Sequence, residues 1–198
     1  GSVHQVRPDV GPDAGGIDVT GIRIERRRRK ENWPLDRNRA LRGSGQSNPP
    51  SIAIYSIKAE GDTPPLRVIE GPRTQLNWPA AMFVDSERGE LYIANDAEDS
   101  VLVFRVTDSG DVAPTRVIRG SKTGIKNPTG IFVDLKNDEI WVSNMGNHSA
   151  TVFSRTANGN VAPLRTIRSA PLGKQALAIG NPGAVGYDTM REEVLVPN

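Results

Sequence analysis

The chain repeats itself. Three segments align without gaps: Gly61-Asp-Thr-Pro-Pro-Leu-Arg-Val-Ile69, Gly110-Asp-Val-Ala-Pro-Thr-Arg-Val-Ile118 and Gly159-Asn-Val-Ala-Pro-Leu-Arg-Thr-Ile167. Within them Arg67, Arg116 and Arg165 recur every 49 residues. Pro79, Pro128 and Pro182, then Asp85, Asp134 and Asp188, then Asn95, Asn144 and Asn198 follow at spacings of 49 and 54 residues. The third repeat therefore holds five additional residues between Ile167 and Pro182. A period of this length constrains the fold more than composition does. Each repeat must be one supersecondary unit that buries its apolar face against its neighbours.

Each repeat divides into four strand-length pieces bounded by turn residues. Strand a is predicted over Ala81–Val84, Gly130–Val133 and Ala184–Tyr187. Strand b is predicted over Leu91–Ala94, Ile140–Ser143 and Val194–Val196, and strand c over Ile52–Tyr55, Val101–Phe104 and Ala150–Phe153. Strand d is predicted over Leu66–Ile69, Thr115–Ile118 and Leu164–Ile167. Turn chemistry fits: Ser86-Glu-Arg-Gly89 between a and b, and Asp108-Ser-Gly110 and Ala157-Asn-Gly159 between c and d. Strand b is apolar on both faces, with Leu91 and Ile93 pointing one way and Tyr92 the other. Trp141 and Leu195 take the place of Tyr92. A strand buried on both faces belongs inside stacked sheets. Strand d carries a charge, as exposed edges do. No helical periodicity separates the strands, which argues against alternating β and α units.

These features predict an all-β chain: a β-propeller of four-stranded antiparallel blades of about 49 residues. Residues 51–198 form the repeats, with blade boundaries near 70–79, 119–128 and 168–182. Residues 1–50 are read as an irregular partial first blade. In it Gly16-Ile-Asp-Val-Thr-Gly21 fits a strand b and Val3–Val6 a strand a, followed by an Arg-rich, then Gly/Ser/Pro-rich insertion from Ile22 to Pro50. Counting gives roughly three and a half blades, the last incomplete, whereas closed propellers have about four to eight. Two readings follow: a fragment of a longer protein, which is preferred, or a half-blade completed by another chain.

Glu90-Leu-Tyr-Ile-Ala-Asn95 and Glu139-Ile-Trp-Val-Ser-Asn144, each followed by a strand like Val-x-Val-Phe, resemble the NHL/YVTN-type bacterial propeller repeats across residues 51–198. The resemblance implies a fold and an extracytoplasmic location, periplasmic or secreted. It leaves function open, because such propellers serve many purposes.

Composition narrows the chemistry. The chain has no cysteine, which removes disulfides, thiol nucleophiles and cysteine metal sites. It has two histidines, His4 and His148. No apolar run is long enough for a transmembrane helix, and no phosphate-binding loop, dinucleotide fingerprint or nucleophile elbow is present. No cofactor is expected. Net charge is +2, unevenly placed. Residues 1–50 hold ten Lys/Arg against six Asp/Glu, a net of +4, leaving fifteen against seventeen in residues 51–198.

The candidate partner-binding residues are the basic run Arg26, Arg27, Arg28, Arg29 and Lys30, with Trp33 nearby, Trp78 in a d–a loop, and His148 in a b–c connection. Interleaved aromatics for base stacking are nearly absent, so the run suits a protein partner with an acidic surface rather than nucleic acid. Asp85, Asp134 and Asp188 recur at every a–b turn, which favours Asx turns over a cation-binding ring. Asn95, Asn144 and Asn198 are the alternative metal set, as in the metal-dependent lactonases and lyases that resemble this fold. Their recurrence in each repeat favours a structural role. An enzyme would show a lone acidic residue breaking the repeat at a channel position, and none is read within residues 51–198. The reading is a non-enzymatic binding or scaffold module, or a subunit of a larger assembly. The alternative is a lactonase- or lyase-type enzyme with catalytic residues partly outside this sequence.

Overall fold

The computed structural model describes residues 49–168, 171, 174 and 182–197. The first sheet pairs β1 (Ser51–Ile54) with β2 (Arg67–Glu70). The second orders β3 (Pro79–Asp85), β4 (Glu90–Asn95), β5 (Ser100–Arg105) and β6 (Arg116–Arg119). The third orders β7 (Pro128–Asp134), β8 (Glu139–Asn144), β9 (Ser149–Ser154) and β10 (Arg165–Ile167). The fourth pairs β11 (Gly186–Asp188) with β12 (Glu193–Leu195). All named pairings are antiparallel. The helical content of the described residues is three single 3-10 turns, Pro72–Thr74, Asp96–Glu98 and Met145–Asn147. The described residues are thus all-β, and their four sheets do not close into a ring.

Period-2 alternation decides which sheets meet. Leu91 and Ile93 of β4 face the first sheet, where they join Ile52, Ile69, Leu102 and Phe104 in one core. Tyr92 and Ala94, one step out of phase, face the third sheet and pack with Ile131, Val133, Ile140 and Val142. Phe83 and Phe132 meet edge to face with centroids 5.2 Å apart across the same interface. The pattern repeats on β8, whose Trp141 turns to the fourth sheet and packs with Val152, Val185 and Val194. Each large apolar side chain so buried stabilises the stack by about 1.5–3 kcal/mol.

The Gly-Asp/Asn landmark of the repeat has a mechanical role. Gly110 donates its N–H to Val68 O (2.6 Å), and its own carbonyl accepts from Glu70 N (3.2 Å). Gly159 treats Val117 and Arg119 in the same way, at 2.6 and 3.2 Å. Beside them Asp111 Oδ1 accepts from Arg73 N (2.7 Å), and Asn160 Oδ1 from Lys122 N (2.8 Å). The c–d turns of the second and third sheets therefore each clasp strand d of the preceding sheet. Gly120 makes room for the clasp: it has φ +132, and a Cβ there would lie 2.4 Å from Asn160 Cγ. This corrects the reading of strand d as an exposed edge for β2 and β6, whereas β10 is exposed along its length. The parallel bridges Ile69–Gly110 and Ile118–Gly159 cover β2 and β6. The charge of Arg116 is held inward by an ion pair rather than left in solvent.

The aspartates that end strand a are Asx turns. Asp85 Oδ1 accepts from the N–H groups of Glu87 and Arg88, both at 3.1 Å. Asp134 accepts from Lys136 N and Asn137 N, and Asp188 from Met190 N and Arg191 N.

Candidate functional site

Two ends of the stack are distinguished by the connections that emerge there. At one end the a–b and c–d turns meet, as in the bonds from Val106 N to Gly89 O (2.9 Å) and Arg155 N to Asp138 O (2.7 Å). At the other end the b–c turns meet the d–a loops: Asp96 N donates to Trp78 O (3.0 Å), and Met145 N to Asn127 O (3.0 Å). Trp78 and His148 both belong to this second end.

Asn95 and Asn144 hold that end together. Asn95 is fully buried; its Oδ1 accepts from Asn77 N (2.7 Å), and its Nδ2 donates to Gln75 O (3.0 Å) and Ser100 Oγ (3.1 Å). Asn144 Oδ1 accepts from Lys126 N (3.2 Å), and its Nδ2 donates to Val142 O, Ser149 Oγ and Thr151 Oγ1. Both amides thus tie a d–a loop to the end of strand b. Asn198 lies outside the described residues, as do Arg26, Arg27, Arg28, Arg29, Lys30 and Trp33.

Trp78 stands out at this end. It precedes β3 with φ 57, in the left-handed region, and the residue is 48% exposed. Its counterpart in the next repeat is Asn127, at φ 44. Asparagine tolerates that conformation, whereas a bulky aromatic there is an outlier costing about 1–3 kcal/mol. His148 also has positive φ, 56, and caps the Met145–Asn147 turn. It is half-buried.

The b–c turn of the second sheet departs from the repeat in a way the sequence reading overlooked. It carries Asp96, Glu98 and Asp99 where the third sheet has Met145, Asn147 and His148. Acidic residues therefore do break the repeat within residues 51–198. Glu98 pairs with Arg119 (3.1 Å) and Asp99 with Lys126 (2.6 Å), and Asp99 Oδ1 also accepts from Asn127 N (2.8 Å). Asp96 is buried, and its Oδ1 has no hydrogen-bond partner. Burial pushes its carboxyl above the usual value, against a hydrogen bond from the Asn127 side chain. A shallow depression of about 360 Å³ lies here, lined by Glu98, Asp99, Arg119 and Ile125 among others. Among the described residues no cluster of three or more His, Asp or Glu side chains is placed to hold a metal ion.

The opposite end carries an ion cluster that joins the second sheet to the third. Glu90 Oε1 accepts from Arg116 Nη1 (2.6 Å) and Oε2 from Arg155 Nη1 (3.1 Å), while Tyr92 Oη also donates to Oε2. Arg155 binds Asp138 as well (2.7 Å). The Arg116 hydrogen bond outweighs partial burial and holds the Glu90 carboxyl at about 2. Burial, with the Glu90 contact next, pushes the Tyr92 phenol to about 12. Arg155 takes the place of Val106 in the repeat, so the cluster is peculiar to this interface. Its groups saturate one another, which marks it as a tie between sheets rather than a reactive centre.

No protein-family model matches the chain, and no curated protein matches it. Among solved structures, the chain is similar to a Kuenenia stuttgartiensis hydrazine synthase at 15% sequence identity and a TM-score of 0.46. The likeness covers 64% of this chain and 31% of that one. The matched region thus spans about a third of the neighbour's length. Among the described residues no helix is long and apolar enough to cross a membrane.

Proposed function

We propose that this chain is a non-enzymatic β-propeller module of NHL/YVTN-type repeats that binds a protein partner through the end carrying the b–c and d–a connections. The observation that carries the reading is Trp78: an aromatic side chain kept half-exposed in a strained backbone conformation where the next repeat uses asparagine. Strain that the fold does not need collects at functional positions, and exposed tryptophans anchor protein interfaces. The basic run Arg26–Lys30 lies outside the described residues and enters this reading from the sequence alone. It would favour a partner with an acidic surface. The resemblance of the sequence to NHL/YVTN-type repeats supports a location outside the cytoplasm and a role as a scaffold or a subunit of an assembly.

The test is Trp78→Asn. Relief of strain should raise stability by about 1 kcal/mol. Affinity for the protein that co-purifies with the wild-type chain from its native source should fall at least about tenfold, the loss of one interface anchor. A variant that binds as before would remove Trp78 from the partner surface.

A further inference from the structure

The sequence holds one Asn-Gly pair, Asn158-Gly159, and the fold sets it in the c–d turn of the third sheet. Both residues are exposed to solvent. Asparagine before glycine is the pair most prone to deamidate, because a residue without Cβ leaves its N–H open to the preceding side chain. In this turn both reacting groups are held by one residue of β6. Gly159 N donates to Val117 O (2.6 Å), and Asn158 Oδ1 accepts from Val117 N (2.9 Å). Asn160 Oδ1, which accepts from Lys122 N (2.8 Å), closes the same clasp. The second sheet carries Ser109 where the third has Asn158, so the fold does not require an amide at this place.

We propose that Asn158 is a self-modification site, which deamidates through Gly159 whenever the clasp opens. The step is hydrolytic and needs water alone. Gly159 N loses its proton to solvent and bonds to Asn158 Cγ, and Nδ2 takes up a proton and leaves as ammonia. The five-membered imide so formed joins Gly159 N to both carbonyl carbons of Asn158. Water then cleaves one of its two C–N bonds. Cleavage at Cγ leaves aspartate, and cleavage at the main-chain carbonyl leaves isoaspartate. One water is consumed and one ammonia released, with no change of oxidation state.

The closed clasp opposes the first bond. A Gly159 N–H that donates to Val117 O resists deprotonation, and the Asn158 amide is fixed on Val117 N instead of swinging onto Gly159 N. The reaction therefore follows the open population of the turn. Its two products act differently on the clasp. Aspartate keeps an oxygen for Val117 N. Isoaspartate adds one carbon to the main chain between Ala157, whose N–H is held by Ser154 O (2.9 Å), and Gly159, held by Val117 O. The lengthened turn no longer spans both anchors in its present form, and the tie from the third sheet to β6 loosens. The inference rests on the clasp and is independent of the partner surface at Trp78.

The full chain is aged at mildly alkaline pH and digested with trypsin, which releases residues 156–165 as one peptide. Mass spectrometry with electron-transfer fragmentation locates the lost amide and separates isoaspartate from aspartate. Conversion should fall on Asn158 and spare Asn160. It should run at least about tenfold slower than in the synthetic 156–165 peptide. Gly120→Ala and Asn160→Ala both disturb the clasp, and each should speed conversion at least about threefold, measured against the peptide of matching sequence. Circular dichroism checks that they fold, and the exposed Asn160 keeps the test open should Gly120→Ala fail to. Asn158→Ser should abolish the modification of this turn. Hydrogen exchange at Val117 N–H should be faster in the isoaspartyl chain than in fresh protein or in Asn158→Asp. Conversion as fast as in the free peptide, no conversion at all, a rate that neither variant changes, or unchanged exchange in the isoaspartyl chain would overturn the proposal.

Discussion

Replacing Glu90 by glutamine keeps the shape of the side chain and removes the charge that Arg116 and Arg155 share. Both guanidiniums are mostly buried, with 19% and 16% of the side chain exposed, so they would lose a counter-ion that water replaces poorly. The Glu90 carboxyl titrates at about 2 instead of its ordinary 4.5. At about 1.4 kcal/mol per pH unit the full shift is worth about 3.4 kcal/mol, and solvent screening at a partly open site brings the expected loss to about 2 kcal/mol. The pH dependence gives the sharper test. A folded-state value below the unfolded one means that the stabilisation is complete above pH 4.5 and fades as pH falls through about 2. Roughly two-fifths of it should remain at pH 3. Urea unfolding of the two proteins at pH 7 and pH 3 measures this difference directly. A gap below about 0.5 kcal/mol at pH 7, or one that is unchanged at pH 3, would refute the argument.

Two further expectations concern the stack itself. Trp141→Ala should destabilise by about 3–5 kcal/mol in urea unfolding, because the ring is buried against Tyr187 and under the Arg165 guanidinium. A loss under about 1 kcal/mol would mean that the fourth sheet does not cover it. Gly120→Ala should cost about 1–3 kcal/mol, since it combines a positive φ with a Cβ driven into Asn160. An unchanged urea midpoint would show that the c–d clasp does not bear on stability.

The strands were legible in the sequence because two signals agree there: a strict period, and alternation that is apolar on both sides at Leu91, Tyr92 and Ile93. The aspartate turns were legible because a local side chain makes them. The clasp was not. Gly110 and Gly159 read as ordinary turn residues until the preceding strand d is seen beside them. The Glu90–Arg155 pair was equally hidden, since 65 residues separate its members and only tertiary packing brings them together. Trp78 could be placed in its loop, but its backbone strain depends on what fixes the loop: the bonds from Asn77 N to Asn95 Oδ1 and from Asp96 N to Trp78 O. The acidic b–c turn was visible in principle. Aligning residues 96–99 with 145–148 exposes it, directly after the asparagine that recurs at 95 and 144.

Site-specific photo-cross-linking tests the proposed partner face most directly. A photoreactive residue is placed at position 78 in one protein and at position 87, an exposed site in an a–b turn at the opposite end, in another. Each is irradiated in extract of the native source and analysed by mass spectrometry. The account predicts a discrete protein adduct from position 78 that is absent from position 87. Adducts from position 87 alone, or from neither, would contradict it.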